Sequence, residues 1–282
     1  MNIEEKFQLL IEEVEKASKT ARAYFESTDF SNEQKSDGSV VTKIDKEIEV
    51  VIRSFITKHF PEDSIIGEED NDVVGTSSFV WHLDPIDGTD NFLRKIPFCA
   101  ISIARLGDTA EDSFAIVHNP ITDLTFASLM DEGTYENEHL TNLTAEPLGG
   151  RFLTCIGAVN TEPWMVSAKQ QLMIGCADKF GKGRSYGSTA LELAYVSAGR
   201  IDAFLTYGLH SWDYAAGLYL VRAAGGTISV FENDEWREWT DSIKELCKEH
   251  GKIILVSHPD VHAEVRDFIG NPKDWATAVE KS

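Results

Sequence analysis

The stretch VWHLDPIDGTDNF, residues 80–92, decides how this chain is read. An apolar run ends at Leu83. Asp84, Asp87 and Asp90 then arrive at every third position, with Pro85 and Gly88 between them. Proline lacks an N–H and restrains the residue before it, so the chain is expected to leave its strand here and turn. In such a turn Asp84 and Asp87 aim at one point, and the Ile86 carbonyl faces the same way. Two carboxylates and a carbonyl make a hard-oxygen set of the kind Mg2+ prefers, and residues 84–90 hold no histidine or cysteine to favour zinc. An Asx-rich turn that merely caps a helix is the other reading of the same residues. Gly88 lets a ligand approach the backbone, and the N–H groups of Gly88 and Thr89 open a short helix that suits phosphate. Asp90 has a structural place at that helix start and is not assigned as a ligand.

Upstream, Ile3, Phe7, Leu10, Ile11, Val14, Ala17, Ala21 and Tyr24 recur at three- and four-residue steps and predict an amphipathic helix over 3–25. FSNEQKSDGSVVT (30–42) is polar and reads as a loop. A second helix is expected over 43–59, ended by Pro61, and SIIG (64–67) is a short strand that runs into Glu68 and Glu69. Downstream, 79–83, 98–106, 113–118 and 125–130 read as strands, with NPITD (119–123) as a turn. Two helices followed by a mainly antiparallel sheet is not a regular βαβ series. EPLGG (146–150) breaks the pattern, which sets an expected boundary between an α+β domain over 1–145 and an α/β domain over 146–282. Beyond it, strands over 151–157, 201–207, 227–231 and 252–257 alternate with helices over 163–176, 191–199, 212–226 and 261–269. Gly225 and Gly226 are placed as a helix C-cap.

The bulk properties narrow the function classes. Of 282 residues, 42% are hydrophobic, enough for a globular core. A formal net charge of −21 argues against a nucleic-acid polymer or an anionic membrane as partner. An anionic substrate therefore needs local positive charge, from metal ions or helix N-termini. Cys99, Cys155, Cys176 and Cys247 lie far apart and read as buried thiols. The acidic MNIEEKFQLL start does not resemble a signal peptide, and no apolar run approaches membrane-spanning length, so a cytoplasmic protein is expected.

Other candidates stand further along. Glu68 and Glu69 point different ways, so one of them can face a metal. Asp213 follows Trp212 where a helix begins, as a cap or as a ligand, and His210 lies three residues before it. In Gly187-Ser188-Thr189-Ala190-Leu191-Glu192, Thr189 and Glu192 fit a capping box, and the free N–H groups offer a second anion or hydroxyl site. Lys179, Lys182 and Arg184 gather positive charge just before it.

VVTKID (40–45), IIGEED (65–70), LDPIDGTDNF (83–92) and LHSWDYAAG (209–217) followed by AGG (224–226) together carry a resemblance. In these motifs, their order and their spacing, the chain resembles the magnesium-dependent, lithium-sensitive phosphatases of the inositol monophosphatase family over nearly its whole length. The resemblance implies a layered α-β-α-β-α sandwich of the inositol monophosphatase / fructose-1,6-bisphosphatase type, and two or three Mg2+ ions per active site. It implies Glu68, Asp84, the Ile86 carbonyl, Asp87 and Asp213 as metal ligands, the last from the second domain. Glu68 and Thr89 match the pair that orients the attacking water, and Asp45 the acid that holds the threonine hydroxyl. Gly88 and Thr89 match the phosphate-binding backbone, Asp87 and Asp213 count as substrate contacts as well as ligands, and Gly187, Ser188 and Thr189 meet the organic part of the substrate. Where inositol phosphatases often carry a glutamate that binds a sugar-like hydroxyl, this chain has Thr206, shorter and uncharged. The implied activity is hydrolysis of a small phosphate monoester, inositol monophosphate or a similar polyol or sugar phosphate. Histidinol phosphate, then fructose 1,6-bisphosphate or a 3′-phosphoadenosine nucleotide, are the alternatives. A metal-binding regulator is the non-enzymatic one, and a homodimer is implied.

Overall fold

The computed structural model describes the chain except residues 28–31, 35–39, 142, 144–151, 160–162, 249–250 and 280–282. The expected boundary at 146–150 and much of the loop at 30–42 lie outside the described residues. Helix α1 (Ile3–Glu26) opens on Asn2, whose side chain accepts from the Glu5 N–H while the Glu5 carboxylate accepts from the Asn2 N–H. Such a reciprocal cap stabilises a helix start by roughly 1 kcal/mol. A two-stranded ribbon, β1 (Asn32–Gln34) and β2 (Val40–Thr42), leads into α2 (Lys43–His59).

The first sheet has seven strands in chain order: β3 (Ser64–Gly67), β4 (Val80–Asp87), β5 (Ala100–Leu106), β6 (Phe114–Asn119), β7 (Leu124–Leu129), β8 (Tyr135–Glu136) and β9 (His139–Leu140). Short helix α3 (Thr89–Leu93) follows β4. β3 and β4 are parallel and every later pair is antiparallel. The second half supplies β10 (Phe152–Val159), α4 (Pro163–Phe180), β11 (Gly181–Arg184), α5 (Thr189–Ser197), β12 (Ala203–Tyr207) and α6 (Ser211–Ala223). It continues with β13 (Thr227–Glu232), β14 (Glu235–Glu238), α7 (Ile243–Leu246), β15 (Ile253–Ser257) and α8 (Pro259–Ile269). Its mixed sheet has the order β11-β10-β12-β15-β13-β14.

Side-chain alternation along the strands sets the layering. Ile101, Ile103, Phe114 and Ile116 face the apolar stripes of α1 and α2. Their neighbours Ala100, Ala104, Ala115 and Val117 face α5 and α6 on the other side. In the second sheet Phe204, Ile254 and Val256 face those same two helices, and Leu205, Tyr207, Ile253 and Leu255 face α4 and α8. The order is α1/α2, sheet, α5/α6, sheet, α4/α8, the sandwich that the resemblance implies. α5 and α6 are buried nearly all round, as helices between two sheets must be. Their close approach depends on Gly217, where a Cβ would fall 2.4 Å from the Leu193 Cβ.

Several expectations change in detail. β4 does not stop before Pro85. It continues to Asp87 through a bulge, because Asp84 pairs with Ser102 and Asp87 with Ala100. Pro85 is tolerated because a bulge leaves one residue without a ladder partner. The capping box at Thr189 and Glu192 does not form. Ser188 is the N-cap residue, and Glu192 Oε1 accepts instead from the Tyr186 N–H at 2.7 Å. α6 ends at Ala223, and its last turn is closed by bonds from Gly225 N–H to Arg222 O and Gly226 N–H to Val221 O, a Schellman motif with Gly225 at φ +87°. The basic stretch includes an unforeseen strand, β11, parallel to β10. No helix among the described residues is long and apolar enough to cross a membrane.

Candidate active site

In a regular strand Asp84 and Asp87, three residues apart, point to opposite faces. The bulge inserts one residue between them and resets the alternation, so both reach the same place. Asp84 Oδ1 accepts from the Ile86 N–H at 3.0 Å, which fixes the bulge from inside. Gly88 then takes φ +87°, a value that disfavours any other residue, and starts α3. A Cβ there would lie 3.0 Å from the Gly187 carbonyl, so two glycine turns from opposite halves of the chain meet back to back. Asn91 ties them together, donating from Nδ2 to Phe98 O at 2.8 Å and to Tyr186 O at 2.7 Å.

Asp87 faces both halves. Its Oδ2 accepts from Ser188 Oγ at 2.6 Å and from the Ala190 N–H at 2.7 Å, at the start of α5. Asp213 arrives on the first turn of α6, where one oxygen accepts from the His210 N–H at 2.8 Å. It is therefore a helix-start acceptor and a member of the cluster at once. Oxygens of Asp84, Asp87 and Asp213 all lie within 4.8 Å of one another. α6 is anchored to the first sheet by His82, whose Nδ1 is 2.9 Å from Ser211 Oγ.

The electrostatics follow from crowding. Burial raises the Asp84 carboxyl well above its usual range, and the charges of Glu68, Asp87 and Asp213 raise it further. Burial pushes Asp87 up to about 6, against the opposing pull of Ser188 and the Ala190 N–H. Both aspartates feel Glu68, which places it in their field at the end of β3.

The remaining candidates are less uniform. Thr89 Oγ1 donates to the Ile86 carbonyl at 3.0 Å. Asp45 is fully buried in the first turn of α2. Ser188 and Thr189 are buried at the start of α5 beside Asp87. Thr206 is buried on β12, and its hydroxyl has no hydrogen-bond partner among the described residues. Asp90 is exposed, and His210 stacks on Trp212 with ring centroids 4.4 Å apart.

Two contributors escaped the sequence reading. Glu49 is buried on α2, paired with Arg53 at 2.7 Å, and accepts from the N–H groups of Glu69 and Asp70 at 2.9 and 3.2 Å. It thereby fixes the turn that carries Glu68, and Gly67 makes room for it, since a Cβ there would lie 2.5 Å from Glu49 Oε1. The i,i+4 spacing of Glu49 and Arg53 was the available signal. His82 gave none, because Ser211 stands far away in sequence.

Comparison with known proteins agrees with this geometry. The model of the inositol monophosphatase family matches residues 2–266. Nus factor SuhB of Escherichia coli K12 is 39% identical over 204 residues, 70% of this chain and 74% of that protein. Inositol-1-monophosphatase of Bacillus subtilis is 32% identical over 231 residues, covering 80% and 82%. A Thermotoga maritima IMPase structure superposes with a TM-score of 0.79 at 26% identity, covering 96% of this chain and 99% of that one. With the family model running through both sheets and all four motifs, the chain belongs to the inositol monophosphatase family.

Proposed function

We propose that this protein is a magnesium-dependent phosphomonoesterase acting on inositol monophosphate or a similar small polyol or sugar phosphate. One observation carries the reading: three buried or half-buried aspartates, two from β4 and one from α6, converge within 4.8 Å. Carboxylates so close repel one another unless a cation lies between them. The three donors are all oxygens, which fits a hard divalent ion. Asp84, Asp87, Asp213, Glu68 and the Ile86 carbonyl would hold it. The segment 1–145 thus brings most of the ligands, and 146–282 brings Asp213 and the substrate contacts at Gly187, Ser188 and Thr189.

When bound, Mg2+ supplies the charge that neutralises phosphate oxygens and acidifies a water. Glu68 takes the proton of the attacking water, and the Thr89 hydroxyl orients that water with Asp45 in support. The N–H groups of Gly88 and Thr89 donate to the equatorial phosphoryl oxygens, where charge is spread in the transition state. The water attacks phosphorus in line, the bond from phosphorus to the ester oxygen breaks, the departing alkoxide takes a proton from solvent and leaves as the alcohol, and no phosphoenzyme forms. The B. subtilis relative supports a polyol as the substrate's organic part.

The relatives named Nus factor SuhB favour a second reading. That name describes a factor rather than an enzyme, so a metal-holding regulator is the competing role. Phosphate release decides between them. The full chain is assayed with magnesium, with and without lithium, and with EDTA in its place. The panel is inositol 1-phosphate, histidinol phosphate, fructose 1,6-bisphosphate and a 3′-phosphonucleotide, ranked by kcat/KM. Turnover that needs magnesium and is highest on the polyol ester is expected. A folded protein that releases phosphate from none of them refutes the enzymatic reading.

A further inference from the structure

We propose that the far end of α6 carries a second site, for a small tetrahedral oxyanion of the phosphate type, received by Arg222. Asp213 and Arg222 occupy the first and last turns of this one helix, about 14 Å apart along its axis. Beside Arg222 lies a cavity of about 210 Å³, lined among others by Thr109, Asp131, Tyr219, Ser242 and Lys244. None of the clustered aspartates borders it.

Arg222 is the unusual group. It is half-buried, its Nη2 is wholly buried, and that nitrogen has no hydrogen-bond partner among the described residues. Arg53 and Arg105, which also tuck into the protein, each hold a carboxylate at 2.7 Å. A guanidinium stays charged and offers five donors in a flat fork, so leaving it unmet in a protein interior is costly. The last turn of a helix suits a cation, but the Arg222 side chain makes no bond to the free carbonyls there, which Gly225 and Gly226 satisfy instead.

The surroundings select the ligand. Asp131 lines the same cavity and its charge, like that of Asp241, acts on Arg222, but no direct ion pair or hydrogen bond joins either to the guanidinium among the described residues. Its backbone is pinned, because its N–H donates to Tyr219 Oη at 3.0 Å and that hydroxyl donates to Ser113 O at 3.0 Å. Lys244 adds a second positive charge to the lining, shared at 2.7 Å with Asp108, which also borders the cavity. Hydroxyls of Thr109 and Ser242 add neutral donors. The space is below the ~300–1,000 Å³ of pockets for drug-sized ligands, so it fits a single compact ion. Phosphate matches the fork in charge and geometry.

The test is calorimetric titration of the full chain with inorganic phosphate in EDTA, where the acidic cluster repels anions. One saturable site is expected, competed by sulfate. Arg222→Gln should weaken it at least about tenfold, ~1.4 kcal/mol, while Asp87→Asn leaves it unchanged. Should circular dichroism show that Arg222→Gln does not fold, Lys244→Gln is the deciding variant, expected to weaken phosphate about threefold. Absence of saturable binding up to about 50 mM, binding that survives the deciding variant, or binding lost in Asp87→Asn each overturns the proposal. The outcome is independent of phosphatase activity, since a protein that hydrolyses nothing can still bind phosphate at Arg222.

Discussion

β3 and β4 lie side by side with acids at both ends, and the two ends differ in one respect. At the start, Asp63 is buried and fully engaged: Arg105 Nε at 2.7 Å, Trp81 Nε1 at 2.9 Å and Ser77 Oγ at 2.6 Å. The Arg105 guanidinium carbon itself lies over Phe79, 3.6 Å from the ring centroid. At the other end, Asp84 and Asp87 are equally buried, yet their neighbours include Glu68 and Asp213 rather than an arginine. A buried acid that brings its own cation is architecture. A buried acid pressed against other acids awaits a cation from solution.

That contrast can be broken at either end. Asp63→Ala leaves Arg105 buried without its partner and should cost about 3–5 kcal/mol in urea unfolding. The surviving folded fraction should keep its turnover. Asp87→Asn should do the reverse, lowering magnesium-dependent kcat on the order of 100–1,000-fold. Its melting temperature in EDTA should be unchanged or higher, because one repelling charge is gone. If Asp87→Asn melts far below the parent, Asp87 belongs with Asp63 as an architectural acid.

Acidity sharpens the contrast further. Asp87 ionises near 3.8 when unfolded and at about 6 when folded. Between those values the folded state holds more protons, so stability falls as pH rises through the window and levels off above it. In EDTA this loss should amount to about 2–3 kcal/mol between pH 4 and 6.5, read as a falling melting temperature. Magnesium should remove most of the slope. A flat EDTA profile would mean that the acids are less crowded than their positions indicate.

Local chemistry made much of this legible. The stripes of α1 and α2 depend on residues close in sequence, and they stand where periodicity places them. What was missed depends on distant partners. β11 reads GKGR, with two glycines and no apolar residue, and is a strand because β10 pairs with it. The capping box at Thr189 failed because the Tyr186 N–H competes for the same Glu192 carboxylate. The bulge was mistaken for a strand end because proline signals both, and only the pairing of β4 with β5 separates them. Asp213 is both cap and cluster member, which no local reading resolves.

The middle layer of the sandwich has a consequence for synthesis. Ala100, Ala104, Ala115 and Val117 leave the ribosome well before α5 and α6, which cover them. Asp213 emerges 126 residues after Asp87, on the order of ten seconds later at typical elongation speeds. For that interval the nascent first sheet presents an apolar face with nothing of its own to lay on it. Chaperone demand during translation should therefore peak before residue 190 and drop once α6 is out.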